Sequence, residues 1–310
     1  MRFFDLHCDT AGECCRQNKD IFQNDLHIDL KRGAALGGWV QVFAIWIPDE
    51  YRGQKAVKYF DTAADYFYSR TGALGDAVQP FFSNAESSAR YILAAEGGSA
   101  AGGDINGLEH LYERGVRILT LTWNGDNEIA CGAYGSAGGM TDFGKKFVRR
   151  AQALGITADC SHLNRRSFYD LADIAEKPFI ASHSNLDIVN TDEGRHRNLS
   201  PEQAKIIRDS GGLIGLNFYE KFLEDDRFKG IDALVRQIDA FMELGCENTL
   251  AVGSDYDGCT VPQGMGGIEK IPDIYAALKN RGCGEDILDK IFYENAARFF
   301  EPLKNGARPE

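Results

Sequence analysis

The sequence has no cysteine pair with CxxC spacing, although it contains eight cysteines in 310 residues. Thiolate zinc sites and dithiol redox sites usually carry that spacing, so neither is expected. The first residues lack a basic segment followed by an apolar one, and no apolar run approaches the ~18 residues that a membrane-spanning helix needs. We therefore expect reduced thiols in a cytoplasmic protein that binds no membrane.

Basic residues are also scarce relative to acidic ones, with 34 Lys and Arg against 46 Asp and Glu and a net charge of −12. Because phosphate groups are bound by basic surfaces, nucleic acid is not an expected partner. The hydrophobic content of 44% is ordinary for a globular protein, and the length allows a large core. No break in composition marks a boundary, so we expect a single domain over residues 1–310.

Eight candidate strands alternate with helical patterns along the chain. They are residues 2–6, 39–47, 90–96, 116–123, 156–162, 178–184, 212–219 and 248–258. Alternation of this kind indicates a parallel sheet, and eight such units predict an α/β fold of the (β/α)8 or TIM barrel type. A doubly wound open sheet is the main alternative, but the GxGxxG fingerprint that follows the first strand in its dinucleotide-binding versions is missing.

Polar side chains occupy the carboxyl ends of five of these candidates. They are His7 and Asp9 on the first, then Glu96, His162, His183 and Asp255 on four others. The carboxyl ends of barrel strands meet on the face that carries active sites, so we expect these residues to surround one point. Taken singly, each residue could instead have a structural role, as a loop cap, a core histidine or a turn residue. Such roles would need a separate explanation at each position, whereas one shared site accounts for all of them.

The remaining histidines are not expected to bind metal. A second HxD pair, His27 and Asp29, lies in a polar segment with no obvious strand before it. His110 and His196 lie in helical or loop contexts.

Three histidines, one aspartate and one glutamate suit a two-metal site with Glu96 as the bridging carboxylate. Imidazole and carboxylate ligands without thiolate favour Zn²⁺, with Mn²⁺, Co²⁺ or Fe²⁺ as alternatives. Two such ions, about 3.5–4 Å apart, share a hydroxide and polarise a carbonyl. The residues therefore predict metal-assisted hydrolysis.

The order of the motifs resembles the membrane (renal) dipeptidase family of metal-dependent hydrolases. The motifs are DLHCDT, AAEGG, GVRILTLTWN, DCSH, FIASHSN, RHRN, GLIGLNFY and VGSDYDG, and the similarity extends from residue 5 to about residue 300. The resemblance implies a barrel enzyme with two zinc ions per chain that hydrolyses small dipeptides, including those with a D-residue at the C-terminal position. A homodimer is an expectation from the family alone.

The resemblance also implies a role for each polar residue. His7 and Asp9 would bind one zinc ion, Glu96 would bridge both ions, and His162 and His183 would bind the second. Asp255 would take a proton from the attacking water and deliver it to the leaving amine. Arg197 would bind the substrate carboxylate, with Arg195 as a competing candidate because the segment after His183 is longer than expected.

One position departs from the family pattern. In the mammalian members a histidine that steadies the oxyanion follows LTLT, whereas this chain has Trp123 followed by Asn124. Either another donor serves, or the preferred substrate differs. A related hydrolase of another small amide or lactone, and a non-catalytic metal-binding barrel, are the alternative functions. We expect the glycine-rich loop CGAYGSAGGM to form a mobile rim of the pocket.

Overall fold

The computed structural model of the protein describes residues 1–84 and 87–305. Its strands are β1 (Phe3–Cys8), β2 (Trp39–Trp46), β3 (Gln79–Pro80), β4 (Ala89–Glu96), β5 (Val116–Thr120), β6 (Thr157–Asp159), β7 (Ile214–Leu216) and β8 (Leu250–Val252). Seven of them form a parallel sheet in the order β6-β5-β4-β2-β1-β8-β7, and the short β3 pairs with β4.

Helices follow most of the strands, as the alternating pattern predicts. The α-helices are α1 (Thr10–Gln17), α2 (Leu30–Ala34), α3 (Gly53–Thr71), α4 (Gly107–Glu113), α5 (Asp142–Leu154), α6 (Arg165–Ile174), α7 (Asp192–Arg197), α8 (Pro201–Asp209), α9 (Glu220–Leu223), α10 (Gly230–Glu243), α11 (Ile271–Asn280), α12 (Glu285–Asp289) and α13 (Asn295–Phe300). Short 3₁₀ helices span Gly72–Ala77, Gly98–Ala101, Ile268–Lys270 and Glu301–Asn305, and a π-helical turn at Lys290–Glu294 joins α12 to α13.

The prediction of a regular strand at 178–184 is wrong. This segment makes only two isolated parallel bridges, between Asp159 and Ile180 and between Ala181 and Ile214. The bridges nevertheless connect β6 to β7, the two ends of the sheet, and so complete a (β/α)8-type barrel. The predicted fold class is confirmed.

Side chains explain why pairing stops at Ala181. The backbone N–H of Ser182 donates to Asp159 Oδ1 at 2.9 Å, and that of His183 donates to Ser161 Oγ at 3.1 Å. Buried backbone amides need a partner, and here buried side chains take the place of a neighbouring strand.

The barrel core follows the alternation of the strands. Val42 and Ala44 of β2 and Ala94 of β4 pack in one buried cluster, while alternate residues such as Phe43 pack in the larger cluster with Phe60 of α3. Burying each such large side chain contributes about 1.5–3 kcal/mol. The functional residues therefore lie on an extensively packed frame.

A β-bulge in β1 turns His7 toward the barrel interior. Asp5 pairs with Gln41 and Cys8 pairs with Phe43, so two residues, Leu6 and His7, lie opposite the single residue between those partners. Such bulges re-aim a side chain next to many active sites.

Local signals in the sequence determine several helix ends. Asn164 is the N-cap of α6 and accepts a hydrogen bond from the Ser167 N–H at 2.8 Å. Ser200 forms a capping box with Gln203 at the start of α8, where Pro201 occupies the first turn.

All eight cysteines lie in the described ranges and are free. Within those ranges, no helix is long and apolar enough to cross a membrane.

Candidate metal centre

Glu96, His162 and His183 meet at the carboxyl ends of their strands and segments. Glu96 Oε1 lies 2.9 Å from His162 Nε2 and 3.5 Å from His183 Nε2. The two Nε2 atoms are 2.9 Å apart, and all three side chains are buried. Three atoms of metal-ligand type therefore surround one point.

His7 and Asp9 lie near the second oxygen of the same carboxylate, and the His7 ring also packs against His183, with 3.9 Å between the ring centroids. His7 Nε2 is 3.7 Å from Glu96 Oε2 and 3.4 Å from Asp9 Oδ2. Among the described residues, this buried Nε2 has no hydrogen-bond partner. Because a buried polar atom without a partner is costly, it is an argument for a missing ligand at this point.

Asp255 completes the cluster from the loop after β8. Ligand atoms of His7, Asp9 and Asp255 all lie within 4.8 Å of one another. Asp255 has a left-handed backbone with φ of 61°, and Asn217 Nδ2 donates to its Oδ2 at 3.0 Å. A Cβ at Gly258 would lie 2.1 Å from Asp9 Oδ2, so only glycine lets this loop approach the aspartate.

The imidazoles of His162 and His183 are held through their Nδ1 atoms. His162 Nδ1 is 2.9 Å from Asn124 Oδ1, and His183 Nδ1 is 2.7 Å from Ser182 Oγ. The Ser182 hydroxyl in turn donates to Asp159 Oδ2 at 2.6 Å. Second-layer bonds of this kind fix the tautomer and leave Nε2 free to bind a metal ion.

Sequence reasoning missed these supporting residues. Ser182 precedes His183 in a Ser-His pair, and Asp159 begins DCSH, so both lay inside segments already singled out. Neither a motif nor a period indicates a bond between residues 23 positions apart, which the packing of neighbouring strand ends creates.

Charge and burial give the histidines different proton affinities. Burial lowers the pKa of His162 and His183 well below the usual value, and nearby His7 and Arg197 act in the same direction. Burial also disfavours charge on His7, but the carboxylates of Glu96, Asp9 and Asp255 raise its pKa to about 10. The same negative potential favours a metal cation near His7.

The carboxyl groups respond mainly to burial. Burial raises the pKa of Glu96 well above its usual value, opposed by His7. Burial likewise raises the pKa of Asp255 to about 6, while His7 and the Asn217 amide favour the ionised form. A cation close to either carboxyl group would favour its ionised form and offset the effect of burial.

Of the two candidate arginines, Arg197 is the buried one. It is 5% exposed, its Nη1 donates to Ser184 Oγ at 3.1 Å, and its Nε has no partner among the described residues. Arg195 has a side chain that is 58% exposed and forms a surface ion pair with Asp192. Burial near the site therefore favours Arg197.

A cavity of about 760 Å³ opens above the cluster. Its wall includes Asp9, Glu96, His162 and Asp255, and aromatic residues cover much of the remainder: Trp46, Tyr59, Trp123, Tyr134, Tyr219 and Phe222. Tyr134 belongs to the glycine-rich loop, which therefore contributes to the pocket rim as expected.

The other histidines lie elsewhere. His27 contacts Asp257, His110 binds Asp61 at 2.9 Å, and His196 stacks on Tyr134. Asp29 of the second HxD pair caps α2. None of these histidines belongs to a group of potential metal ligands in the described part of the chain.

The chemistry of the clustered side chains fits a divalent metal ion. It combines neutral imidazole nitrogens with carboxylate oxygens, the ligand types that bind Zn²⁺, Mn²⁺, Co²⁺ and Fe²⁺. The unpartnered Nε2 of His7 faces Asp9 and Glu96, and the Nε2 atoms of two further histidines face the same glutamate.

Known proteins are similar to this chain in sequence and in architecture. A Klebsiella pneumoniae protein, described only as uncharacterized and encoded in the pqqA 5′ region, is 33% identical over 225 residues, or 69% of this chain and 81% of that protein. The crystal structure of dipeptidase AC, a metallopeptidase of family M19, is 27% identical with a TM-score of 0.89, and 99% of each chain is covered. A Rhodobacter sphaeroides metallopeptidase with a bound phosphinate mimic of L-Ala-D-Ala is 26% identical with a TM-score of 0.87, covering 97% of this chain and 99% of that one.

A barrel with imidazole and carboxylate side chains clustered at the carboxyl ends of its strands is typical of metal-dependent hydrolases. Within this class, the sequence model of the membrane dipeptidase family, peptidase family M19, matches residues 1–309. The chain belongs to this family and is a metallo-dipeptidase, which confirms the resemblance inferred from its motifs.

Proposed function

We propose that this dipeptidase binds two zinc ions and hydrolyses small dipeptides, including those of the L-Xaa-D-Xaa type. The proposed ligands are His7, Asp9 and Glu96 for one ion and Glu96, His162 and His183 for the other. The observation that carries the proposal is the position of Glu96, whose two carboxylate oxygens face different histidines, Oε2 toward His7 and Oε1 toward the other pair.

When bound, the two cations would polarise the peptide carbonyl and lower the pKa of a water molecule, so that attack occurs at neutral pH. The chain itself must bind the dipeptide, hold its carbonyl carbon beside that water and move one proton.

Asp255 is proposed to move that proton. Water oxygen bonds to the carbonyl carbon while one water proton passes to the Asp255 carboxylate. Asp255 then gives the proton to the amide nitrogen as the C–N bond breaks, and the second water proton leaves the new carboxyl group for the solvent or the amine. The products are two amino acids, one with the new carboxylate and one with the new amino group. Asn217 supports this role because its hydrogen bond orients the carboxylate.

Arg197 is proposed to bind the substrate carboxylate. A guanidinium can offer two parallel hydrogen bonds to such a group. Its Nε lacks a partner among the described residues, and its Cζ lies 5.5 Å from the ring centroid of Phe222, a residue of the cavity wall. The L-Ala-D-Ala mimic bound by the R. sphaeroides neighbour supports dipeptides with a C-terminal D-residue as substrates.

The substrate assignment predicts a selective effect of Arg197→Met. We expect kcat/KM for L-Ala-D-Ala to fall roughly 10- to 100-fold, as for loss of a charge-assisted hydrogen bond, with little change for the C-terminal amide. Steady-state kinetics on both compounds would measure this difference.

Arg195→Met is the matched control, because this side chain is exposed, and it should leave both rates near wild type. Equal losses of kcat/KM for the dipeptide and for its amide would contradict the proposal that Arg197 binds the substrate carboxylate. A wild-type enzyme that prefers the amide would instead indicate a hydrolase of another small amide or lactone.

The cytoplasmic location and the homodimer stay predictions.

A further inference from the structure

Peptide hydrolysis places negative charge on the carbonyl oxygen as the tetrahedral intermediate forms. A hydrogen-bond donor fixed at that position accelerates the reaction, and removal of one such donor typically costs about 10²–10³ in kcat. Trp123 and Asn124, which follow β5 and line the cavity, both carry N–H groups that can donate to this oxygen.

Asn124 lies beside the metal cluster and lines the cavity. Its Oδ1 is 2.9 Å from His162 Nδ1. His162 Nε2 faces Glu96 and His183, so Nε2 carries the lone pair for a metal and Nδ1 carries the hydrogen. The Nδ1–H therefore donates to the amide oxygen.

This hydrogen bond determines where the other half of the amide lies. With Oδ1 directed at His162, the planar carboxamide must direct Nδ2 away from the ring. Over the described ranges, Nδ2 donates no hydrogen bond to a protein group, and the residue is only partly buried. Asn124 thus combines an anchored oxygen with an unused N–H donor in the cavity wall.

The backbone of Asn124 is held as firmly as its side chain. Its carbonyl accepts a hydrogen bond from the Tyr134 N–H at 2.9 Å, and the following Gly125 N–H donates to Asp49 Oδ2 at 2.8 Å. A Cβ at Gly132 would lie 2.4 Å from the Asn124 carbonyl oxygen, so the loop packs closely against this turn. A donor held from both sides needs little reorganisation during the reaction.

We propose that the Asn124 side-chain amide donates a hydrogen bond to the developing oxyanion while its oxygen orients His162. This assignment rests on the proposed dipeptidase function. The Trp123 indole N–H is the rival donor, but no hydrogen bond among the described residues ties that ring to a metal ligand. Asn124 is therefore the more firmly held of the two donors.

Two substitutions at Asn124 distinguish the role of its Nδ2–H donor from the role of its Oδ1 acceptor. Asn124→Asp keeps an acceptor for His162 Nδ1–H but removes the N–H donor, whereas Asn124→Leu removes both without adding charge. Trp123→Phe removes the rival donor. For each zinc-loaded protein we would measure zinc content, kcat and KM for L-Ala-D-Ala, and the inhibition constant of a phosphinate mimic of L-Ala-D-Ala, whose tetrahedral oxygens imitate the intermediate.

The proposal predicts that Asn124→Asp keeps its zinc while kcat falls about 10²–10³-fold. Phosphinate affinity should fall by a similar factor, KM should change little, and Asn124→Leu at saturating zinc should show the same loss, which excludes an effect of added charge alone. Trp123→Phe should lose less than either variant.

Zinc-loaded Asn124→Asp with wild-type kcat and wild-type phosphinate affinity would overturn the proposal. A large loss confined to Trp123→Phe would also overturn it and assign the donor to the indole. If the wild-type protein hydrolyses no dipeptide, the proposed function fails separately, and the phosphinate affinities of wild type and Asn124→Asp then decide the role of Asn124.

Discussion

At the scale of single residues, two buried aspartates, Asp159 and Asp5, link the chain segments that carry the site residues through hydrogen bonds. Asp159 accepts hydrogen bonds from the Thr120 and Ser182 hydroxyls, each at 2.6 Å, and from the Ser161 and Ser182 N–H groups, each at 2.9 Å. One carboxylate therefore joins three neighbouring chain segments where their strand pairing ends.

Asp5 repeats this arrangement on the opposite side of the barrel. It accepts the Ser254 hydroxyl at 2.6 Å, the Ser254 N–H at 2.8 Å and the His7 N–H at 3.3 Å. Burial raises its pKa to about 6, although the hydrogen bonds from Ser254 favour the ionised form. The backbones of His7 and of the loop that carries Asp255 are thereby fixed to each other.

Ser182→Ala should weaken zinc binding while the protein still folds. The substitution removes the contact from His183 Nδ1 to Ser182 Oγ and the bond from that hydroxyl to Asp159. Loss of such second-layer contacts typically lowers metal affinity about 10- to 100-fold. Zinc competition with a chelator of known affinity would measure the change.

Ser161→Ala provides the matched control for this prediction. Both serines are 1% exposed, but the Ser161 hydroxyl contacts the His183 backbone N–H and the Ser184 hydroxyl, with no imidazole nitrogen. Its zinc affinity should therefore fall less than that of Ser182→Ala, because the His183 ring keeps its own hydrogen bond. Unchanged affinity in Ser182→Ala, or equal losses in both variants, would show that Ser182 does not orient His183.

The polar residues at strand ends could be predicted as a set, whereas their supporting bonds could not. His7, Glu96 and His183 stand out because charged or polar groups rarely end an apolar segment inside a core. The contact between Asn217 and Asp255 joins residues 38 positions apart, and the sequence contains no local signal for it. Pairing of distant strands creates such contacts.

At the scale of secondary structure, the helices follow local signals more closely than the strands do. Asn164 and Ser200 mark helix starts through side-chain hydrogen bonds that span only three residues. Strand length depends instead on what neighbouring segments offer. The segments at 156–162, 212–219 and 248–258 therefore form strands of only three residues each.

The bulge in β1 illustrates the same limit. Simple alternation places His7 and Asp9 on one face, and they do lie 3.4 Å apart. His7 reaches the interior, however, through the extra residue between Asp5 and Cys8, and Asp9 already lies at the start of α1, where its side chain makes no capping hydrogen bond. A period of two therefore places these residues side by side but gives no sign of the bulge.

Ser200→Ala should destabilise the protein through α8. The Ser200 hydroxyl accepts the Gln203 N–H at 3.2 Å, and the Gln203 side chain accepts the Ser200 N–H at 2.9 Å. Loss of such a cap costs about 1 kcal/mol. Urea unfolding followed by circular dichroism would show a lower midpoint at constant slope.

Ser200→Asp retains the cap acceptor and adds charge that suits a helix N-terminus, so its midpoint should stay near wild type. Equal destabilisation by alanine and aspartate would mean that the capping bond contributes nothing measurable. Zinc content should not change in either variant, because Ser200 contacts no metal ligand among the described residues.

At the scale of the whole molecule, barrel closure creates the site. His7 and Asp255 are 248 positions apart, yet the Asp255 N–H donates to the His7 carbonyl at 3.2 Å where β1 and β8 are neighbours. The alternating pattern predicted that strand ends converge, and the family resemblance supplied the assignment of individual ligands. The bulge and the second-layer network required the structure.

The central claim is that this barrel binds two zinc ions and that Asp255 transfers the proton during dipeptide hydrolysis. The most direct test counts zinc per chain and measures L-Ala-D-Ala hydrolysis for wild type and Asp255→Asn. We expect two zinc ions per chain in both proteins, with kcat about 10²–10⁴-fold lower in the variant, as for loss of a general acid–base group. Wild-type turnover in zinc-loaded Asp255→Asn, or no dipeptide hydrolysis by a wild-type protein that holds two zinc ions, would contradict the account.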